Sequence, residues 1–251
     1  MRCSTILIGL FLLSCGVSAQ VNVRDSTMNI PMFYASYAYQ ISAGDAGKRF
    51  GNNSSIGGGF QYKIKKNWLF GAEFNYMFGG RIKDQDSILS SISNSDGFLI
   101  TSSGEYAQVN FTQAAYNFSV KVGKIFPVFG SNPNSGIFIS LQPGFMQHRI
   151  KINNPNNTAP PLAGDYKYGY DEMASGFCVS EFIGYMYMGN QRLLSFYAGF
   201  ECTQAITVNR RAYNFNTMTH NSGQNHDYFY SFRFGWLVPL YKRTEVGYYF
   251  K

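Results

Sequence analysis

Residues 67–80 read NWLFGAEFNYMFGG. Alternate positions from Trp68 are Trp, Phe, Ala, Phe, Tyr and Phe, and the positions between them are Leu, Gly, Glu, Asn, Met and Gly. A period of two marks a β-strand, whose successive side chains point to opposite faces. One face of this strand is aromatic, and the other is small or polar and carries Glu73. The pattern recurs. Residues 33–41 set Phe33, Ala35, Tyr37, Tyr39 and Ile41 against Tyr34, Ser36, Ala38 and Gln40. Residues 56–64 set Ile56, Phe60, Tyr62 and Ile64 against Gly57, Gly59, Gln61 and Lys63. In residues 114–122, Tyr116, Phe118, Val120 and Val122 oppose Ala115, Asn117, Ser119 and Lys121. Residues 137–145, 194–208 and 230–238 behave alike, with Gln142, Glu201 and Arg233 on their less apolar faces. Residues 177–188 alternate less cleanly. Together these are eight strands, near the ~9–11 residues that a tilted membrane strand needs.

The connections alternate in length. Short turns fall at 65–67, 127–135 and 189–191, and long ones at about 43–55, 81–113, 153–175 and 210–227. The long ones are rich in Asn, Ser, Gly, Asp and Pro, the residues of turns and loops. Short periplasmic turns alternating with long extracellular loops are the layout of an outer-membrane barrel. The expected fold is all-β: an antiparallel up-and-down transmembrane β-barrel of eight strands. Ten is the alternative, since the tail KRTEVGYYFK at 242–251 follows the eighth strand and could pair with a strand inside 81–113.

A lipid setting fixes which face looks where. A soluble barrel with so apolar an exterior would aggregate. The aromatic faces therefore meet lipid, and the polar faces look into the lumen. Lys63, Lys121 and Arg233 with Glu73, Glu181 and Glu201 are the expected internal polar network, three charges of each sign. Buried charges must pair, because an isolated one is costly. Trp68, Phe126, Trp236 and Tyr241 near the short turns, and Tyr76, Phe78, Tyr228 and Tyr230 near the long loops, are the expected membrane girdles.

The N-terminus changes the picture by assigning a compartment. Arg2, the apolar run ILIGLFLL at 6–13 and the small residues Val17-Ser18-Ala19 form a secretory signal peptide, too short to span a bilayer. Cleavage after Ala19 suits the small residue there. Leu12-Leu13-Ser14-Cys15 offers the alternative of a lipidated Cys15. The expected organisation is a signal peptide at 1–19, a periplasmic segment at 20–31, the barrel at 32–241 and a periplasmic tail at 242–251. Composition agrees: 18% aromatic residues against 14% charged, with 26 glycines. The net charge of +7 is scattered rather than gathered into runs. For an exported chain this argues against nucleic acid and toward outer-membrane lipid and lipopolysaccharide as the surroundings.

The arrangement resembles the small eight-stranded outer-membrane barrels of the OmpA/OmpX type, over about residues 32–241. A sharper pattern occurs twice, 112 residues apart: KVGKIFPVF at 121–129 and RFGWLVPLY at 233–241. The second copy looks like the closing-strand signal read by outer-membrane insertion machinery, and the first marks an internal half-repeat. The aromatic-rich style resembles small barrels of Bacteroidota-like bacteria. Some of those are subunits of larger secretion or assembly complexes, which implies protein partners in the membrane.

Chemistry is sparse. A three-residue turn at 189–191 would place Cys178 opposite Cys202, where a cross-strand disulfide and two free thiols are equal alternatives. His226-Asp227 looks like the carboxylate–histidine pairs of outer-membrane proteases, but further acidic partners are missing and a polar loop end is the simpler reading. No nucleophile elbow or His-Glu-x-x-His occurs, so neither an enzyme nor a cofactor or metal site is expected. Gly57-Gly58-Gly59 has no following helix to make a phosphate loop, and instead gives room for a bulky neighbour or a bend. An eight-stranded lumen is nearly filled by side chains. The expected function is that of a non-catalytic structural or interaction subunit, with a narrow channel as the alternative and a hydrolase or acyltransferase behind it.

Overall fold

The computed structural model describes residues 27–83, 85–129, 132–189, 194–220 and 223–240. The signal peptide, Cys15, Tyr241 and the tail at 242–251 lie outside the described residues. Eight antiparallel strands pair in chain order and close on themselves: β1 (Ile30–Ala43), β2 (Asn53–Lys63), β3 (Trp68–Gly79), β4 (Asn110–Phe126), β5 (Gly136–Asn153), β6 (Ala174–Met188), β7 (Ser195–Asn209) and β8 (Gln224–Pro239). The seam is the β1–β8 pair, in register from Met32 with Pro239 to Ala43 with Tyr228. Closure leaves no strand edge, so every strand finds backbone partners on both sides. Among the described residues no helix is long and apolar enough to cross a membrane.

Alternation decides inside from outside along each strand. Phe33, Tyr37, Phe70, Phe74, Phe118, Phe145, Phe177, Phe200 and Phe232 are exposed on the outer wall, while Gln40, Gln61, Lys63, Glu73, Lys121 and Arg233 are buried within. The strands run longer than a membrane requires, up to 18 residues in β5. Their extra length lies at the long-loop end, where the loops fold inward. Helix α1 (Gly44–Arg49), helix α2 (Gln85–Leu89) and three short 3₁₀ turns between residues 155 and 169 belong to these loops.

The interior is layered in a way that alternation alone does not reveal. At the long-loop mouth Ala46, Phe50, Ile88, Leu89, Leu99, Leu162 and Tyr170 from the loops pack on Met77, Met146, Ile150 and Phe229 from the wall. At the short-turn mouth Ile30, Met32, Leu69, Ile125, Phe138, Phe182, Met186 and Leu237 form a second apolar layer. Glu73, Lys121, Glu201 and Arg233 lie between these two layers. The apolar inward residues are the ends of the polar faces, such as Leu69 and Met77 flanking Glu73 on β3.

Two glycines show how tight the packing is. A Cβ on Gly57 would lie 2.0 Å from Oδ1 of Asn75, and one on Gly235 would lie 2.1 Å from the Tyr197 ring. The wall is bare there so that a neighbour can enter the lumen.

The register overturns the Cys178–Cys202 pairing. Cys178 lies opposite Ala205, and Cys202 lies opposite Glu181. The connection between β6 and β7 is longer than a three-residue turn, and the resulting odd shift moves one cysteine to the other face. Cys178 is buried in the lumen, Cys202 sits on the outer wall, and both are free thiols. The protein should therefore migrate identically with and without reductant on a denaturing gel. A mobility difference that Cys202→Ser abolishes would contradict this register.

Candidate functional site: the buried polar network

The lumen centre holds one connected chain of charges. On β3 and β4, Lys121 Nζ lies 2.5 Å from Glu73 Oε2. Lys121 also donates to the Tyr34 hydroxyl at 2.8 Å, and that hydroxyl donates to Glu73 at 2.7 Å. The ammonium stands 4.5 Å from the Tyr34 ring centroid, a cation–π placement. On β7 and β8, Arg233 meets Glu201 at 2.7 Å. Asn75 joins the two pairs: its amide donates to Glu73 at 2.8 Å, and its carbonyl oxygen accepts from Arg233 at 2.9 Å. Arg233 also donates to Ser36 on β1 at 3.0 Å, so the network crosses the seam.

The two ion pairs are built alike. On β4, Lys121 lies opposite Gly71, and Glu73 lies opposite Ser119. On β8, Arg233 lies opposite Gly199, and Glu201 lies opposite Ser231. Each half thus sets Gly-x-Glu on one strand against Ser-x-basic-x-Gly on the next. The last Gly of each half, Gly123 or Gly235, makes room for a lumen aromatic, Phe138 or Tyr197. The half-repeat seen at 121 and 233 therefore extends to β3 and β7. The signal was present in the sequence as Gly71-Ala72-Glu73 and Gly199-Phe200-Glu201.

Two of the six expected network residues stand elsewhere. Lys63 faces the lumen but at the short-turn mouth, where Nζ donates to Asn134 Oδ1 at 2.7 Å and to the Met28 carbonyl at 3.2 Å. Glu181 is a correction: it lies on the exposed outer face of β6, because Ser180 and Phe182 on either side point inward. The alternation of β6 is blurred by inward Phe182, Met186 and Met188, and that hid its phase.

The girdle residues Trp68, Phe78, Phe126, Tyr230 and Trp236 are exposed on the outer wall, with Tyr76 and Tyr228 half-buried. Lys124 lies over Trp68 and Phe126, 5.1 and 5.3 Å from their ring centroids, as a basic residue does at a membrane interface.

A second polar cluster lies toward the long loops. Asp227 Oδ2 meets His148 Nε2 at 2.9 Å and accepts from Thr207 Oγ1 at 2.6 Å, with Arg49 of α1 at 3.9 Å from its other oxygen. His226, the neighbour read from sequence as a partner of Asp227, instead faces out, and its backbone N–H donates to Asp45. A hydroxyl, an imidazole and a carboxylate resemble hydrolytic machinery. All three side chains are fully buried beneath the loops, out of reach of any substrate. Outside the barrel wall, the bond from Lys48 and then that N–H hold Asp45 below the usual carboxylate range. Among the described residues no group of three or more His, Cys, Asp or Glu could hold a metal ion.

A closed antiparallel barrel of eight strands, aromatic outside and charged inside, is an architecture with a known setting. The chain has the fold of a small outer-membrane β-barrel. Similar solved structures include Neisserial surface protein A (NspA), at 11% identity and a TM-score of 0.45, over 83% of this chain and 96% of that one. Ail, the attachment invasion locus protein of Yersinia pestis, is similar at 9–10% identity and a TM-score of 0.42, over 84% of this chain and 99% of that one. OprG from Pseudomonas aeruginosa follows at 10% identity and a TM-score of 0.36, over 86% and 99%. No protein-family model and no curated protein sequence matches the chain.

The network makes a sharp energetic prediction. Arg233→Leu leaves Glu201 buried without its cation and should cost about 3–5 kcal/mol of barrel stability, the usual penalty for removing one partner of a buried pair. Arg233→Leu combined with Glu201→Leu should recover most of that loss. Denaturant unfolding in detergent micelles checks both. A double variant as unstable as the single one would show that the pair itself does not matter.

Proposed function

We propose that the chain works without catalysis as a structural or interaction subunit in the outer membrane of a Gram-negative bacterium, within a larger secretion or assembly complex. The observation that carries this reading is the sealed lumen beneath an apolar wall. Lys63 at one end, Gln40 and Gln61 between, and His148 and Asp227 at the other are all 0% exposed. A water-wide path past these side chains would leave some of their surface accessible. The buried Thr207, His148 and Asp227 cluster likewise offers nothing to a substrate. Surfaces that other molecules can reach are the outer wall and the loops, where Phe98, Tyr106 and Tyr166 are exposed aromatics. Aromatic side chains are favoured anchors of protein contacts.

In this reading residues 1–19 direct export, lipid and lipopolysaccharide cover most of the wall, and insertion machinery reads the closing strand at 233–241 during assembly. The long loops and the wall are then the places where protein partners attach.

Extraction from the native membrane in mild detergent should give a native mass well above that of one 28.3 kDa chain, with other proteins in fixed ratio. A monodisperse single chain would defeat the subunit reading. The purified barrel should show no steady conductance in a planar bilayer, and a reproducible unitary conductance would favour the channel instead.

A further inference from the structure

Glu181 occupies an unusual place. It is the middle residue of β6, exposed on the outer wall, with Val179 and Phe177 outward on one side and Ile183, Tyr185 and Tyr187 on the other. Six residues separate it from Tyr187; at about 3.3 Å each on a strand tilted by about 45°, that is roughly 14 Å of depth in an apolar band of about 25 Å. The carboxylate therefore sits near mid-membrane. Among the described residues it makes no ion pair and no hydrogen bond. The other outward ionic residues of the neighbouring wall lie near its rims, Lys124 toward the short turns and Arg149 and Lys151 toward the loops.

The surface around Glu181 is also shaped. A groove of about 970 Å³ follows the outer wall past Glu181 and Cys202, lined by Leu141, Ile183, Phe200 and Phe232. Cys202 lies directly opposite Glu181, and the small Ala198 is also outward on β7. The wall is low here, whereas neighbouring parts carry rows of aromatic rings.

Acidic side chains in mid-membrane are costly unless something pairs with them. We propose that the β6–β7 wall around Glu181 is a lateral docking site, within the membrane, for a different membrane protein that places a basic side chain against this carboxylate. The inference rests on the interaction-subunit reading and deepens it. Charge complementarity selects the occupant. Lipid offers no fixed cation at that depth. A second copy of this chain in the same membrane holds Glu181 at the same height, and the outward residues around it are apolar or thiol: Leu141, Ile183, Phe200, Cys202 and Phe232. Two copies meeting through this wall would add a second carboxylate at that depth, while Lys124, the cation that lines the same groove, lies toward the short-turn rim over Trp68 and Phe126.

The test uses the full-length protein in its own membrane. A photo-crosslinking phenylalanine analogue replaces Ile183, beside Glu181, and in a control replaces Phe74 on the far wall. Crosslinks from position 183 and not from 74 should fall on a membrane-embedded segment of another protein that carries Lys or Arg. Glu181→Lys should lower recovery of that protein at least tenfold, and an acidic residue in place of its basic one should restore it. Glu181→Leu, which suits lipid, should insert and fold as well as the wild type and still lose the partner. Crosslinks confined to lipid or to a second copy would overturn the proposal, as would full partner recovery with Glu181→Leu. If the wild type retains partners while the Glu181 variants do too, this site fails and the subunit reading stands. If the wild type runs alone, both fall.

Discussion

A barrel of eight strands encloses barely more room than its own side chains fill, and a charge placed there cannot be left alone. This constraint organises the interior. Lys121, Glu73, Asn75, Arg233 and Glu201 form one continuous chain across the lumen, each ion held by at least one opposite charge or amide. The bond from Arg233 to Ser36 crosses from β8 to β1. Closing the seam and completing the network are therefore one event: an open sheet would leave Arg233 short of a partner. Gly57 and Gly235 follow from the same demand, since a side chain at either would displace Asn75 or Tyr197 from the crowded lumen.

The two halves of the chain use one device with different cations, and the difference has a physical reason. Lys121 is a compact point charge that stays local, between Glu73 and the face of Tyr34. Arg233 has a rigid fork with several donors. One arm reaches Glu201 within its own half, and the other reaches Asn75 and Ser36 in the first half. A lysine at 233 could satisfy Glu201 but could not tie the halves together in the same way.

The eight strands and the inward charges on β3, β4, β7 and β8 were legible because those strands alternate cleanly between aromatic and polar residues. Strand β6 was not. Its inward face carries Phe182, Met186 and Met188, so both faces are apolar and the phase of Glu181 cannot be read from period two. The cysteine pairing failed for a related reason. Register across a hairpin depends on the turn, and an odd change in its length exchanges inside for outside. The apolar layers at the two mouths were hidden because hydrophobicity does not distinguish a lumen-facing Leu69 from a lipid-facing Phe70. Phe50 and Leu162 lie in segments whose polar composition reads simply as loop. The meeting of His148 with Asp227 spans 79 residues and needs the closed barrel and its folded loops to bring it about.

Apolar layers lie at both mouths of the lumen, and the outer wall and the loops carry the exposed aromatic side chains. Over most of the wall the rule that governs the lumen is met trivially, because the wall carries no ions near mid-membrane. Among the described residues, Glu181 is where the same rule is left unmet. Inside the barrel, every mid-lumen carboxylate is matched by a cation on an adjacent strand, at a position set by the half-repeat. On the outer wall the adjacent strands offer Leu141 and Cys202 instead. The chain supplies every other element of a buried ion pair at this position: a low-relief surface, apolar walls to exclude water and the acid itself. Among the described residues no cation stands at that depth on the outer wall, and the proposed neighbour in the plane of the membrane would supply it.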